Sequence, residues 1–259
     1  MAGRYKEIQF SITDRVAQVT FARPPLNVFT IPMMKEIAAA LNTLNTKPDL
    51  CAIVFAASPA TRAFSAGVSI EEHRPETVYQ MLEAFHSIFR ALDAISKPVV
   101  ALVRGAALGG GCEIAAYADI VIATQSARFG QPEIKIGVFP PVAATILPKV
   151  IGDKKAREMI FTGELLTAEK ARSLGLVNYV VAESELEAKA RELLNALRQQ
   201  SAPALETARR AIVEAANLPF DEALKRAEDI YLNQLMSHKD PQEGVEAFIA
   251  KRPPRWSHK

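Results

Sequence analysis

The chain has 259 residues, and 49% of them are apolar, so it can bury a sizeable core as one large domain or as one domain with an extension. Its 31 basic and 29 acidic residues leave a net charge of +2, which argues against general nucleic-acid binding. The sequence shows no leader pattern and no apolar run of about 18 residues, so we expect a cytoplasmic protein without a membrane span.

The first half of the chain alternates strands and helices. Residues 8–12 and 16–21 alternate apolar and polar side chains around a polar turn, which predicts a β-hairpin. The elements predicted after it are a helix at 30–44, a strand at 51–56, a loop of small residues at 58–69, a helix at 76–95, a strand at 99–103, a short helix at 112–117 and a strand at 119–123. This order predicts an α/β fold with parallel strand pairing and right-handed crossovers.

From residue 153 onward the pattern becomes mainly helical, with one short strand predicted at 176–181. The helices predicted there cover residues 154–161, 168–174, 183–200, 203–216, 220–236 and 241–250. The last three are rich in apolar residues but have few strands to cover, so they either pack on the core or form a subunit interface.

Two cysteines, Cys51 and Cys112, form no CxxC motif, and we expect both to be buried, reduced thiols. His73 and His86 fall in or beside predicted helices, where exposed structural roles are expected. No spacing of His, Cys, Asp and Glu matches a metal site, so no metal is expected.

The stretch from residue 97 to residue 133 is the most informative. Gly109, Gly110 and Gly111 stand between an apolar strand and a helix, but no lysine follows them as a phosphate-binding loop requires, and the dinucleotide-binding glycine pattern is absent. The free N–H groups of such a helix start can stabilise negative charge developing on an oxygen. Glycines here would also allow a strand and a helix to pack closely, and their position alone leaves both interpretations open.

Two glutamates belong to the same stretch. Glu113 lies in the first turn of the short helix, where a favourable interaction with the helix dipole would account for it, and Glu133 follows Pro132 in a predicted loop, where it would be a surface charge. Both adjoin apolar segments, and a buried carboxylate needs a partner or a shifted pKa. Together they indicate a reaction in which one group takes a proton and another gives one.

The small-residue loop offers a second set of accessible backbone N–H groups. Its residues 63–68 read AFSAGV, and a donor from this loop paired with Gly110 would hold a carbonyl oxygen. A rival interpretation takes Ser65 as a hydrolase nucleophile, because SAG is close to the second half of the GxSxG elbow. That triad would need His238 or His258.

In chain order, the segments AFSAG, KPVVALVRGAALGGGCE, FGQPEIKIG, TGELLTAEKARSLGLVNYVV and AFIAKRPPRW resemble the crotonase (enoyl-CoA hydratase/isomerase) superfamily. The resemblance covers essentially the whole chain. It implies a spiral core of ββα units over residues 1–195 and a helical oligomerisation region over residues 196–259. That region would build homotrimers, commonly stacked into hexamers. The resemblance also implies an acyl-CoA thioester substrate, with coenzyme A entering as part of the substrate and no separate cofactor.

The resemblance assigns roles to four positions. The backbone N–H groups of Val68 and Gly110 would form an oxyanion hole for the thioester oxygen. Glu113, as the water activator, and Glu133, as the donor of a proton to the α-carbon, would add water across the conjugated double bond, with sharing or exchange of the two roles left open. The residues expected to bind coenzyme A or the substrate are Arg23, Ser65, Ala66, Ser69, Phe248 and Lys251.

Two departures from the family pattern concern the acyl pocket. Ser69 stands where the family often has aspartate, and Pro140-Pro141 begins a run that is often glycine-rich. Proline adds bulk and stiffness, so the preferred acyl group is expected to differ from a straight chain, as in the alicyclic dienoyl-CoA hydratases. The alternatives kept open are an enoyl-CoA isomerase that uses one carboxylate, the Ser65 hydrolase, and a non-catalytic binding protein of the same fold.

Overall fold

The computed structural model describes residues 5–259. Within that range the chain forms ten strands and ten α-helices. The strands are β1 (Ile8–Thr13), β2 (Val16–Phe21), β3 (Ala52–Ala57), β4 (Ala63–Ser65), β5 (Val99–Val103), β6 (Ala106–Leu108), β7 (Ile120–Thr124), β8 (Arg128–Gly130), β9 (Leu165–Thr167) and β10 (Tyr179–Val181). The helices are α1 (Ile31–Asn42), α2 (Val78–Ile95), α3 (Gly110–Tyr117), α4 (Pro141–Ile151), α5 (Asp153–Thr162), α6 (Ala168–Ser173), α7 (Leu186–Arg198), α8 (Ala202–Ala215), α9 (Phe220–Asp229) and α10 (Asp240–Ile249).

The strands form two sheets. The larger has the order β1-β2-β3-β5-β7-β10, and all its pairs except the β1–β2 hairpin are parallel. The smaller has the order β4-β6-β8-β9. Three successive pairs, β3 with β4, β5 with β6 and β7 with β8, each give one strand to each sheet, and α2, α3 and α4 follow them in turn. This repeat confirms the predicted α/β spiral of ββα units.

The smaller sheet was not predicted. Its first strand lies within the small-residue stretch that we expected to be a loop, and the other three were not anticipated. Each of the four is only three residues long, too short for an alternating pattern to show. Because β4, β6 and β8 each follow a strand of the larger sheet and lie side by side, the segments that leave them begin next to one another.

An aromatic cluster fills the core between the larger sheet and the first two helices. The ring of Phe21 meets those of Phe29 and Phe64 edge-on, at centroid distances of 5.0 and 5.1 Å, and all three side chains are fully buried. The Thr30 side chain accepts a hydrogen bond from the Met33 N–H, so it caps α1 as predicted. Cys51 and Cys112 are buried and free.

The last three helices begin at, or one residue before, their predicted first residues. The predicted boundary at residue 195 falls inside α7, whose Leu186, Ala190 and Leu194 are buried against strands of the larger sheet. The division into a core and an oligomerisation region stays a prediction. The single helix predicted over residues 220–236 is α-helical only as far as Asp229. A π-turn and then a 3₁₀ turn follow it. In residues 5–259, no helix is both long enough and apolar enough to span a membrane.

Candidate active site

A cavity of about 540 Å³ lies where α2, the loop after β4, the start of α3 and the approach to α4 meet. We call it the central cavity. Its lining is largely apolar, which is typical of a site for a small organic group. The side chains with ionisable groups in the lining are Glu113, Glu133, His73 and Lys135. The remaining lining residues are Ala66, Gly67, Val68, Ile70, Val78, Met81, Leu82, Phe85, Gly109, Gly110, Pro132, Ile136, Gly137, Val138, Phe139, Pro140 and Pro141.

Val68 and Gly110 both line this cavity, and neither backbone N–H group has an acceptor among the described residues. The Phe29 N–H donates to the Gly67 carbonyl and the Ser69 N–H donates to the Phe29 carbonyl, both at 2.8 Å. In such a bridge the residue between the two bonds, Val68, directs its own N–H to the opposite side. Gly110 is the first residue of α3, so its N–H has no acceptor within the helix.

The glycines are needed because this region is crowded. Gly109 has φ of +49°, and a Cβ there would lie 2.5 Å from Oε1 of Glu133. A Cβ at Gly110 would lie 2.9 Å from the Phe85 ring and 3.1 Å from a Val68 methyl group. The close-packing interpretation of the cluster is therefore confirmed, and that packing brings Gly110 next to Val68. Stabilisation of a negative charge by these N–H groups stays a prediction.

Glu113 is buried, with 3% of its surface exposed. Its Oε1 accepts a hydrogen bond from the backbone N–H of Ala143 at 2.7 Å. Burial, assisted by the nearby Glu133, raises the pKa of Glu113 to about 8, even though the N–H groups of Ala143 and Val142 favour the charged form. The carboxyl can therefore exchange a proton near neutral pH.

Glu133 lies in a 3₁₀ turn, Pro132–Ile136, and not in the irregular loop that was expected. Among the residues that the structure describes, no group bonds to its Oε2, which is buried. Burial raises the pKa of Glu133 to about 7. It is therefore not the surface charge of the alternative interpretation.

Ser65 is unsuited to nucleophilic attack. Its side chain is fully buried, its hydroxyl donates to the Asn27 carbonyl at 2.7 Å, and it accepts from the Gly67 N–H at 3.1 Å. A Cβ at Gly111 would lie 2.7 Å from the Ser65 Cβ, so Ser65 packs against the start of α3. His258, one proposed triad partner, bonds instead to Arg15 and to the Ala202 N–H.

The other predicted binding residues are spread more widely. Ala66 lines the central cavity, whereas Ser69 has its backbone groups engaged in hydrogen bonds and lies next to it. Arg23 forms an ion pair with Glu7 at 2.9 Å. Phe248, at 86% exposed, and Lys251 are at the end of α10, and neither they nor Arg23 contribute to the lining. Contact of these residues with coenzyme A stays a prediction.

Sequence reasoning missed two features of the site. His73 lines the cavity and was expected only on a helix surface. Ala143 acts through its backbone N–H, which has no signature in the sequence, and α4 itself was not predicted. Pro141 at its first position was the available signal, since proline is favoured there.

Comparison with known proteins identifies the family of this chain. Residues 11–259 match the family described as "Enoyl-CoA hydratase/isomerase". The chain is 36% identical to a protein of Mycobacterium tuberculosis named "Probable enoyl-CoA hydratase", over 98% of this chain and 99% of that protein. It is 32% identical to the cyclohexa-1,5-dienecarbonyl-CoA hydratase of Thauera aromatica, over 93% of both. The solved enoyl-CoA hydratase of Bacillus anthracis superposes with a TM-score of 0.92 at 26% identity, over 98% of this chain and 100% of that one. The chain belongs to the enoyl-CoA hydratase/isomerase family.

Proposed function

We propose that this protein adds water across a carbon–carbon double bond conjugated to a coenzyme A thioester. The observation that carries the proposal is that two carboxyl groups with raised pKa values, Glu113 and Glu133, line the same cavity as Val68 and Gly110, whose backbone N–H groups have no acceptor in residues 5–259. Two proton-transfer groups beside an anion-stabilising pair are what hydration of an unsaturated thioester requires.

The mechanism follows from these positions. The thioester oxygen accepts hydrogen bonds from the Val68 and Gly110 N–H groups. Glu113 takes a proton from water as the water oxygen bonds to the β-carbon, and the electrons of the double bond move to the thioester oxygen as an enolate. The donors stabilise that charge more strongly than they stabilise the neutral carbonyl, which lowers the barrier. Glu133 then gives its proton to the α-carbon as the carbonyl re-forms.

The pKa values of the two carboxyl groups, raised to about 8 for Glu113 and about 7 for Glu133, place both titrations near neutral pH. One protonated carboxyl group supplies the acid and the other, ionised, is the base. Turnover ends with the proton on Glu113, which is also where the higher pKa places it, so the proton returns to Glu133 before the next turnover, or the two roles are exchanged.

The alternatives are less well supported. An isomerase needs only one carboxylate, and the site has two. A hydrolase needs an accessible nucleophile, and Ser65 is buried and fully hydrogen-bonded. A non-catalytic binding protein would gain nothing from burying two ionisable carboxyl groups at an energetic cost.

A cyclic dienoyl group is a second candidate substrate. Phe139, Pro140 and Pro141 form a stiff wall of the cavity, and the relative from Thauera aromatica is named for such a substrate. A cavity of about 150 Å³ is enough to hold benzene, so a six-membered ring would occupy only part of the 540 Å³ present here. The stiff wall favours a cyclic acyl group, whereas the volume of the cavity favours an acyl group larger than a single six-membered ring.

The test is a panel of acyl-CoA thioesters that includes crotonyl-CoA and cyclohexa-1,5-diene-1-carbonyl-CoA. Loss of the conjugated absorbance together with a gain in mass of one water identifies hydration. A change of absorbance at constant mass identifies isomerisation. Much faster turnover of crotonyl-CoA would refute the cyclic preference, and absence of water addition on every thioester would refute the hydratase.

We further propose that the C-terminal helices assemble the protein into a homotrimer or a hexamer of two trimers, and that it acts in the cytoplasm. Several large apolar side chains of α8 to α10 are exposed, which supports burial against other subunits. They include Ile212, Phe220, Leu232, Val245, Phe248 and Ile249. Sedimentation of the purified protein distinguishes these states from a monomer.

A further inference from the structure

Asn27 is a fully buried polar residue that does not line the central cavity. Its side-chain oxygen accepts a hydrogen bond from the Arg23 N–H at 2.9 Å. Its side-chain nitrogen donates to the Ala63 carbonyl at 2.9 Å, to the Phe64 carbonyl at 3.1 Å and to the Thr61 hydroxyl at 3.0 Å. An N–H group only donates and a carbonyl only accepts, so these neighbours fix which end of the amide is the nitrogen. The amide therefore joins the segment before α1 to strand β4.

Residues 26–29, which we call the bracing segment, run beside the loop that follows β4. The Leu26 carbonyl accepts from the Ala66 N–H at 2.9 Å. Phe29 forms a 2.8 Å hydrogen bond on each side of Val68, one through its N–H and one through its carbonyl. These bonds hold the backbone of the loop and leave the Val68 N–H without an acceptor among the described residues.

Position 27 makes two demands that asparagine meets together. Its φ is +50°, in the left-handed region, which asparagine adopts more readily than most residues with a side chain. Its environment also needs an acceptor at one end of the side chain and N–H donors at the other. Glycine would satisfy only the backbone angle, and aspartate would keep the acceptor but not the pair of donors.

Strand β4 connects Asn27 to both proposed N–H donors. It lies at the edge of the smaller sheet and pairs with β6. The chain reaches Val68 three residues after β4 ends, and it reaches Gly110 two residues after β6 ends. A Cβ at Gly67 would lie 3.1 Å from the Leu108 carbonyl oxygen, so the two segments stay in contact beyond the strands. A shift of β4 relative to β6 would therefore move Val68 relative to Gly110.

We infer that Asn27 is a positioning residue for the proposed oxyanion hole. Its amide fixes β4, and β4 fixes where the Val68 N–H lies relative to that of Gly110. Asn27 does not line the cavity, so it acts through the donor and not through contact with the substrate. Because the donors stabilise the enolate more than the neutral carbonyl, a displaced donor lowers kcat more than it raises KM. This inference rests on the proposed function and names a residue that governs its anion-stabilising pair.

Two substitutions remove the donors of the amide in different ways. Asn27→Gly tolerates the backbone angle and keeps the carbonyl that accepts from the Ser65 hydroxyl. Asn27→Asp keeps the size of the side chain and the acceptor for the Arg23 N–H, and it can donate at most one bond to β4, when it is protonated. It supplies the result if Asn27→Gly does not fold. Thr61→Val is the matched control, because it removes a bond to the same amide from a residue that precedes β4. Melting curves show which variants fold.

The probe is butanoyl-CoA labelled with ¹³C at the thioester carbon, which binds without turnover because it has no double bond to hydrate. Hydrogen bonds to the thioester oxygen lower its C=O stretching frequency, which difference infrared spectroscopy measures in the complex. The wild type and Thr61→Val should lower the frequency equally. Asn27→Gly should lose roughly half of that lowering, since one of two donors is displaced, and Asn27→Asp should lose part of it. For a thioester that the wild type hydrates, kcat of Asn27→Gly should fall by about ten- to hundredfold while KM changes by less than about threefold.

A stretching frequency that stays at the wild-type value in a folded Asn27 variant, whatever its stability, would overturn the inference and leave Asn27 a purely structural role. A loss of equal size in Thr61→Val would overturn it as well, because any weakened bond in this region would then have the same effect. If the wild type itself does not lower the frequency, the proposed oxyanion hole fails together with this inference. If the wild type lowers it and the Asn27 variants do so equally, only this inference fails.

Discussion

The backbone N–H of Ala143 donates to Oε1 of Glu113 at 2.7 Å, across 30 residues of sequence. Ala143 lies in the first turn of α4, where N–H groups have no partner within the helix, so Glu113 supplies an acceptor that the helix lacks. The bond orients the carboxyl group and favours its charged form, whereas burial favours the neutral form. Glu113 is thus both part of the proposed chemistry and part of the connection between α3 and α4.

Two substitutions of Glu113 should separate these roles. At pH 5, where the folded carboxyl group is protonated, Glu113→Gln retains an oxygen that accepts from Ala143, so its free energy of unfolding should be close to that of the wild type. Glu113→Ala leaves the buried N–H unpaired and should lose about 1–3 kcal/mol, with a further loss for the space created. Both should lower kcat for hydration by about 10²- to 10⁴-fold, because both remove the proton-transfer group.

Urea unfolding and initial-rate kinetics on the same preparations measure the two effects. Equal stability of the two variants would show that the Ala143 bond does not contribute to folding. A wild-type rate in Glu113→Gln would remove Glu113 from the mechanism.

The raised pKa of Glu113 makes stability depend on pH. The folded carboxyl titrates at about 8 and the unfolded one near 4.5, so between these values the folded state binds more protons than the unfolded state. The free energy of unfolding should therefore fall as pH rises through this window, by about 1.4 kcal/mol per pH unit for this group. Below and above the window, this group should contribute no pH dependence to the free energy of unfolding.

The comparison of wild type with Glu113→Gln isolates that group, since every other titrating residue is common to both. Urea unfolding at intervals from pH 5 to pH 8 should show the variant gaining stability relative to the wild type as pH increases. A difference that stays constant across this range would contradict a raised pKa at Glu113.

Ser65→Ala tests the rival hydrolase. The hydroxyl bonds to the Asn27 carbonyl and the Gly67 N–H within the packed loop, so its removal should lower the free energy of unfolding by about 1–2 kcal/mol. The hydration rate should fall by less than tenfold, because no proposed step uses the hydroxyl. Release of free coenzyme A thiol should stay at background in both proteins. Thiol release by the wild type that Ser65→Ala abolishes would restore the nucleophile.

The larger sheet and most of the helices could be predicted because their signals are local. Strand β5 is a continuous apolar run, and the buried residues of α2 recur at helical spacing, so each pattern identifies its element without knowledge of its neighbours. Strands β4 and β8 have three residues each, and both pair with β6. They exist as strands only because of that pairing. Nothing in three residues reveals such pairing.

In the candidate site, too, residues with a local signal could be predicted, whereas contacts made by the fold could not. Glu113, Glu133 and the glycines were predicted because their side chains, or the absence of one, are visible in the sequence. The bond from Ala143 was not, because it uses a backbone group brought close by a crossing of α3 and α4. Pro140-Pro141 was interpreted as a stiff loop, whereas Pro141 starts α4, where a missing N–H costs nothing.

Gly109 should tolerate a side chain poorly. Its φ of +49° is one that other residues rarely adopt, and a Cβ would lie 2.5 Å from Oε1 of Glu133, so Gly109→Ala combines backbone strain with displacement of a proposed catalytic group. Gly152 offers a matched control, because its φ is +81° but a Cβ there meets nothing within 4 Å. Both substitutions should lower stability by about 1–3 kcal/mol through strain, while Gly109→Ala alone should also lower kcat, by at least about tenfold. Melting curves and hydration rates of the two variants, measured side by side, test this prediction. Equal rates would mean that Glu133 keeps its position when Gly109 is replaced. The close approach at Gly109 would then not govern the chemistry.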